Sequence, residues 1–156
     1  MRTLKLRPHL LALLAASLLV ATVHAREPAT GNLVIGHPWS RPTASGMSVG
    51  VAYLSITNNG ALEDTLIAAR TPVAARVEFH RTRFEDGMAR MRPAGAVIIA
   101  AHATVSAEPG GLHLMLVDLA APLVAGTSVP LVLQFKTAGE ITVQLKVESP
   151  ADAPHP

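Results

Sequence analysis

None of the 156 residues is a cysteine. An exported protein without cysteine folds without a disulfide framework. Thiolate chemistry is excluded as well, including blue-copper and dinuclear-copper electron transfer, which both need a cysteine ligand. A lipid anchor of the lipoprotein kind is excluded on the same ground, because no cysteine follows the one apolar run near the N-terminus.

Long apolar runs are nearly lacking too. That single run, Leu10 to Val20, is too short to span a bilayer. Arg2, Lys5 and Arg7 precede it and Val23-His24-Ala25 follows it, which is the pattern of a secretory signal peptide cleaved after residue 25. The mature chain is expected to be soluble, with no membrane span. Excess charge is also missing: three of the 13 Lys+Arg lie in the leader, leaving ten against 11 Asp+Glu, a net charge of −1. The basic character of the full chain belongs to the leader, so nothing implies a nucleic-acid partner. Finally, no window shows a helical period, and there is no internal repeat.

Short alternating segments with turn signals are what is there. Val49 to Asn58 is rich in β-formers and stops at Asn58-Asn59-Gly60. Leu33 to Gly36, Leu62 to Arg70, Ala75 to Phe84, Met88 to Arg92, Ala96 to Ile99, Thr104 to Ala107 and a segment from Leu112 read as further strands. Pro130 to Phe135 and Ile141 to Val147 form a closing hairpin around Thr137-Ala138-Gly139. The two prolines of His37-Pro38-Trp39-Ser40-Arg41-Pro42 suggest an extended crossing segment after the first strand. This is the pattern of an all-β, antiparallel Greek-key β-sandwich. It occupies residues 26–148 as one domain, with a disordered Pro-rich tail at 149–156.

Chemistry concentrates between His80 and Met115. If Asp86-Gly87 are the central residues of a type I′ turn, Phe84 lies opposite Ala89, Thr82 opposite Met91 and His80 opposite Pro93. Met91 then shares a face with His80 and sits diagonal to it, about 7–8 Å away at the backbone. His113 and Met115, at i and i+2, share a face opposite the leucines 112, 114 and 116. Both pairs are therefore expected on the less apolar side, where a partner could reach them. Imidazole with thioether is a donor set for copper, Cu(I) above all, because soft sulfur selects soft metals. Taken singly, each of these residues reads more simply as a solvated histidine or a methionine filling a core gap.

The spacing H-x10-M-x21-H-x-M, read from His80, Met91, His113 and Met115, resembles the signature of the periplasmic copper chaperones called PCuAC. Pro38-Trp39-Ser40-Arg41, Tyr53-Leu54-Ser55-Ile56-Thr57-Asn58, Met91-Arg92-Pro93 and Pro109-Gly110-Gly111-Leu112 extend the likeness over nearly all of the mature chain. The resemblance implies that His80, Met91, His113 and Met115 hold one Cu(I) per monomer on a cupredoxin-like sandwich. It also implies delivery of that copper to the CuA site of cytochrome c oxidase subunit II, often beside a Sco-type protein. There are departures. Many members carry a methionine where Thr82 stands, others one just before the Met91 position, and a His/Met-rich tail is reduced here to His155.

Other features have plainer readings. Gly46-Met47-Ser48-Val49-Gly50 matches G-x-S-x-G, but an elbow of that kind needs a strand before it and a helix after it. The glycines read as flexible connection, and no enzyme is expected. Met47 reads as an exposed loop residue, Trp39 as a packing anchor, and His37 and His102 as surface residues. Arginines 76, 81, 83, 90 and 92 cluster near the candidate site and could guide docking of an acidic partner. A copper-buffering or resistance protein using the same residues is a close alternative. A plain immunoglobulin-like structural or adhesion module is a distant one.

Overall fold

The computed structural model describes residues 32–149. The expected signal peptide, residues 150–156 of the expected tail, and His155 with them lie outside those residues. Among the described residues ten strands make up the regular structure: β1 (Leu33–Ser40), β2 (Val49–Asn58), β3 (Asp64–Arg70), β4 (Ala74–Glu85), β5 (Met88–Pro93), β6 (Val97–Ile99), β7 (Thr104–Ala107), β8 (Leu112–Leu119), β9 (Ser128–Phe135) and β10 (Gly139–Val147). The described residues are all-β, as the alternating pattern predicts.

The strands join in the order β5-β4-β8-β7-β2-β1-β10-β9-β3-β6, with β8 pairing β2 as well as β7. One buried cluster draws Ala52, Leu54 and Ile56 from β2, the leucines 112, 114 and 116 from β8, and Leu131, Leu133 and Phe135 from β9. Leu145 and Val147 of the closing hairpin are buried as expected, whereas Ile141 and Val143 only flank the core. Alternation sets which side chains enter, since successive residues of a strand point to opposite faces.

Two local expectations are corrected. The first strand does not stop at Gly36 but runs on to Ser40, because its pairing with β2 skips from Gly36 to Trp39. His37 takes a positive φ of 42° at that irregularity. A bulge of this kind absorbs Pro38, which has no N–H for the ladder. Gly50 is not a flexible connection either. It lies in β2, and a Cβ there would meet Leu123 Cδ1 at 2.9 Å. The strand that begins at Val49 also occupies the place where a G-x-S-x-G elbow would need its helix.

Candidate metal centre

The β4–β5 hairpin fixes half of the site. Asp86 and Gly87 have φ values of 53° and 76°, the two positive values that a type I′ turn demands. The rungs follow as expected from that turn: Phe84↔Ala89, Thr82↔Met91 and His80↔Pro93. β4 also pairs antiparallel with β8, with rungs Glu78↔Met115 and His80↔His113. The two histidines are thus direct cross-strand neighbours, with ring centroids 6.1 Å apart. Met115 lies one rung pair to one side, opposite Glu78, and Met91 one to the other, opposite Thr82. All four residues share one face of three adjacent strands.

In the neutral rings, hydrogen bonds select the tautomer. His80 Nε2 lies 2.9 Å from Glu78 Oε2. A carboxylate only accepts, so Nε2 carries the proton and Nδ1 holds the lone pair. His113 Nδ1 lies 3.1 Å from the Gly111 carbonyl oxygen, so there Nδ1 donates and Nε2 holds the lone pair. Those two remaining nitrogens, His80 Nδ1 and His113 Nε2, are buried and have no partner. Buried polar atoms are nearly always satisfied, and here two lone pairs on adjacent rings are not.

The enclosure is deeper than expected. His113 is only 4% exposed, as enclosed as the leucines on the other face of β8, so it does not sit on an accessible side. β8 has strands on both flanks. On this face β2 contributes Val51, opposite Met115, and Tyr53 two residues on, whose ring packs 4.7 Å from that of Trp39. Met91, by contrast, is 50% exposed. The donor set therefore runs from a buried imidazole to an accessible thioether.

Glu78 and the Gly111 carbonyl are the site residues that sequence reasoning missed. The signal for Glu78 was its i, i+2 spacing between Arg76 and His80 on one face. Arg76 Nε donates to Glu78 Oε1 at 2.8 Å, and Arg76 Nη1 to Asp118 Oδ2 at 2.5 Å. The Arg76 guanidinium first, and then the His80 ring, hold the Glu78 carboxyl below the usual carboxylate range. A lowered pKa means the acceptor survives as pH falls through that range and is lost only beneath it.

Other candidates stand apart from the centre. Among the described residues no three His, Cys, Asp or Glu side chains form a metal-binding group, and the thioethers of Met91 and Met115 share the face of the two histidines. Met47 precedes Val49, which pairs Val117. That places it about six residues along β8 from His113, roughly 20 Å. His37 Nε2 donates to Glu148 Oε1 at 2.7 Å, on β1 and away from the two histidines in the strand order. Of the five arginines, only Arg76 shares the histidine face. Arg81, Arg83, Arg90 and Arg92 occupy the back of the hairpin, because strand alternation puts odd and even positions on opposite sides.

Known proteins share this arrangement of strands. The sequence model of the family described as "Putative lipoprotein LpqE-like" matches residues 33–147. "Putative lipoprotein Lxx21020" from Leifsonia xyli subsp. xyli is 29% identical over 115 residues, 73% of this chain and 68% of that protein. The copper-bound PCuAC domain from PmoF2 is 28% identical with a TM-score of 0.66, over 77% of this chain and 95% of that domain. The solution structure of CuI-DR1885 from Deinococcus radiodurans is 26% identical with a TM-score of 0.61, over 80% and 85%. The word lipoprotein belongs to the family and that relative; the 156 residues here hold no cysteine on which such a lipid could be built. The family match begins on the first residue of β1 and ends on the last of β10, and the chain belongs to the LpqE-like family.

Proposed function

We propose that this protein is an exported, periplasmic Cu(I) carrier, binding one ion per monomer through His80 Nδ1, His113 Nε2 and the thioethers of Met91 and Met115. The observation that carries this reading is the pair of buried, unpartnered imidazole nitrogens on one rung, flanked on the same face by two methionines. Copper in the PmoF2 domain and Cu(I) in DR1885, both with similar chains, support the choice of metal. The core shared by both halves of the strand order supports a cupredoxin-like Greek-key sandwich.

Two neutral imidazoles and two thioethers hold Cu(I) without adding negative charge, and cysteine thiolates outcompete them. Transfer to a thiolate-bearing acceptor is therefore downhill by ligand exchange and needs no catalysis. The acceptor proposed is the CuA site of cytochrome c oxidase subunit II, reached directly or beside a Sco-type protein. Thioethers form no disulfides, so the site withstands an oxidising compartment, with sulfoxidation as its weakness.

An anaerobic titration with Cu(I) against a competing chelator should give one equivalent per chain. Absence of tight binding would end the proposal, and binding without transfer to a CuA-bearing subunit would make the protein a buffer. Glu78→Ala frees the His80 Nε2–H, and loss of such a ring-orienting carboxylate typically weakens metal binding 10–100-fold, so about that loss is expected. An affinity within about twofold of wild type would show that Glu78 does not position the ring. Met91→Ala removes the most exposed donor. It should weaken binding on the order of tenfold, ~1.4 kcal/mol, mainly by speeding release in a stopped-flow chelator chase. Unchanged release would remove Met91 from the set.

A further inference from the structure

The back of the β4–β5 hairpin carries a feature that the histidine face does not explain. Its rungs Arg81↔Arg92 and Arg83↔Arg90 set like charges directly opposite each other, an arrangement that destabilises a strand pair. Arg90 is compensated by Glu85 at 3.5 Å. Among the described residues Arg81, Arg83 and Arg92 have no carboxylate within ion-pair distance. These three exposed guanidiniums border a groove of about 560 Å³ whose far wall is apolar, formed in part by Ile98 and Val105. Ile98 is 61% exposed there, a large aliphatic side chain facing solvent across from unpaired cations.

We propose that this groove docks an acidic segment of a partner protein, its carboxylates on the arginines and its aliphatic atoms on Ile98. Guanidinium is the cation best matched to carboxylate, because its planar fork bonds bidentately. The groove is concave, and Glu85 lies on its rim. Those features suit a narrow chain that can place its carboxylates one by one, more than the flat surface of an anionic bilayer. The assignment is independent of the metal, since none of these arginines shares the histidine face. Docking from behind leaves the exposed Met91 thioether uncovered.

The test uses the whole chain and a fluorescent polyglutamate peptide, read by anisotropy at low and at high salt. Binding should weaken about tenfold as salt rises past the physiological level, as expected for exposed charge pairs. Arg81→Glu with Arg83→Glu converts both like-charged rungs into oppositely charged ones, so the hairpin should hold. Peptide binding by that variant should fall about tenfold or more, with Cu(I) affinity and thermal unfolding unchanged. Arg70→Glu, on β3 where Arg70 meets Glu140 at 2.7 Å, should leave peptide binding as it was. No binding at low salt, or an equal loss with Arg70→Glu, would overturn the proposal. So would sedimentation of the chain with phosphatidylglycerol vesicles when the peptide is not bound. Loss of Cu(I) binding in wild type would overturn the carrier reading and leave the groove standing.

Discussion

Replacing His113 with alanine should lower Cu(I) affinity by at least about a hundredfold, ~2.7 kcal/mol, the largest effect of any single change at the site. His113 is the most enclosed donor, 4% exposed, and its Nδ1 is already committed to the Gly111 carbonyl. That leaves Nε2 pointing its lone pair at the space beside His80. No neighbouring nitrogen can replace it, because His80 turns its other nitrogen to Glu78. The metal-free protein should respond differently. An unpartnered buried nitrogen is a desolvation penalty, so His113→Leu should leave stability unchanged or raise it by about 1 kcal/mol. Affinity would come from the chelator competition and stability from urea unfolding. A His113→Leu protein destabilised by several kcal/mol, yet still binding copper, would make His113 a packing residue and sink its role as a ligand.

Asp64→Ala should unfold the protein more readily than any substitution at the metal centre. Asp64 is buried and opens β3. Its Oδ1 accepts the amides of Thr65 at 2.7 Å and Thr137 at 2.9 Å, and its Oδ2 that of Ala138 at 2.8 Å. One carboxylate thereby ties β3 to the turn between β9 and β10, beside the Lys136 N–H bond to the Thr65 carbonyl. Ala138 is itself buried, so its N–H would lose its acceptor without gaining water. Hydrogen bonds to a charged group are worth about 1.5–3 kcal/mol each, and unmet buried donors add to the loss. A fall of about 3 kcal/mol in unfolding free energy is expected from these bonds, or roughly 10 °C in Tm for a domain of this size. Asn should rescue only part of it, since an amide has one acceptor oxygen and turns an N–H toward another N–H. The Asp64 carboxylate bonds only to the amides of Thr65, Thr137 and Ala138 and to none of the groups around the two histidines, so the folded fraction should bind copper as wild type does. A stability loss under about 1 kcal/mol would mean that the turn finds other acceptors.

Much of this was legible from the chain because it is local. Asp86-Gly87 dictates its own turn, the turn dictates the register of β4 against β5, and the register puts Met91 on the face of His80. Alternation in Leu112 to Leu116 likewise puts His113 and Met115 on one face without knowledge of any partner strand. The rung that sets His80 opposite His113 was not legible, because it depends on β4 pairing with β8 across more than thirty residues, and no local rule selects that partner. The depth of His113 was missed for the same reason: the side chains that crowd it come from the strands flanking β8, which its own pattern does not reveal. Pro38 misled in the opposite direction. Proline read locally ends a strand, while the sheet kept β1 running by bulging around it.

The long-range rung between β4 and β8 also decides when the protein can begin to act. Its donors sit on three strands, and β8 lies between β4 on one side and β7 and β2 on the other. An unfolded chain carries the same histidines and methionines without bringing them together. The proposed site exists only where β4, β5 and β8 are paired, so metal held there would favour the folded sheet. If the chain carries copper as proposed, occupancy would then be a readout of maturation, and an immature or damaged molecule would leave the ion for one that is complete.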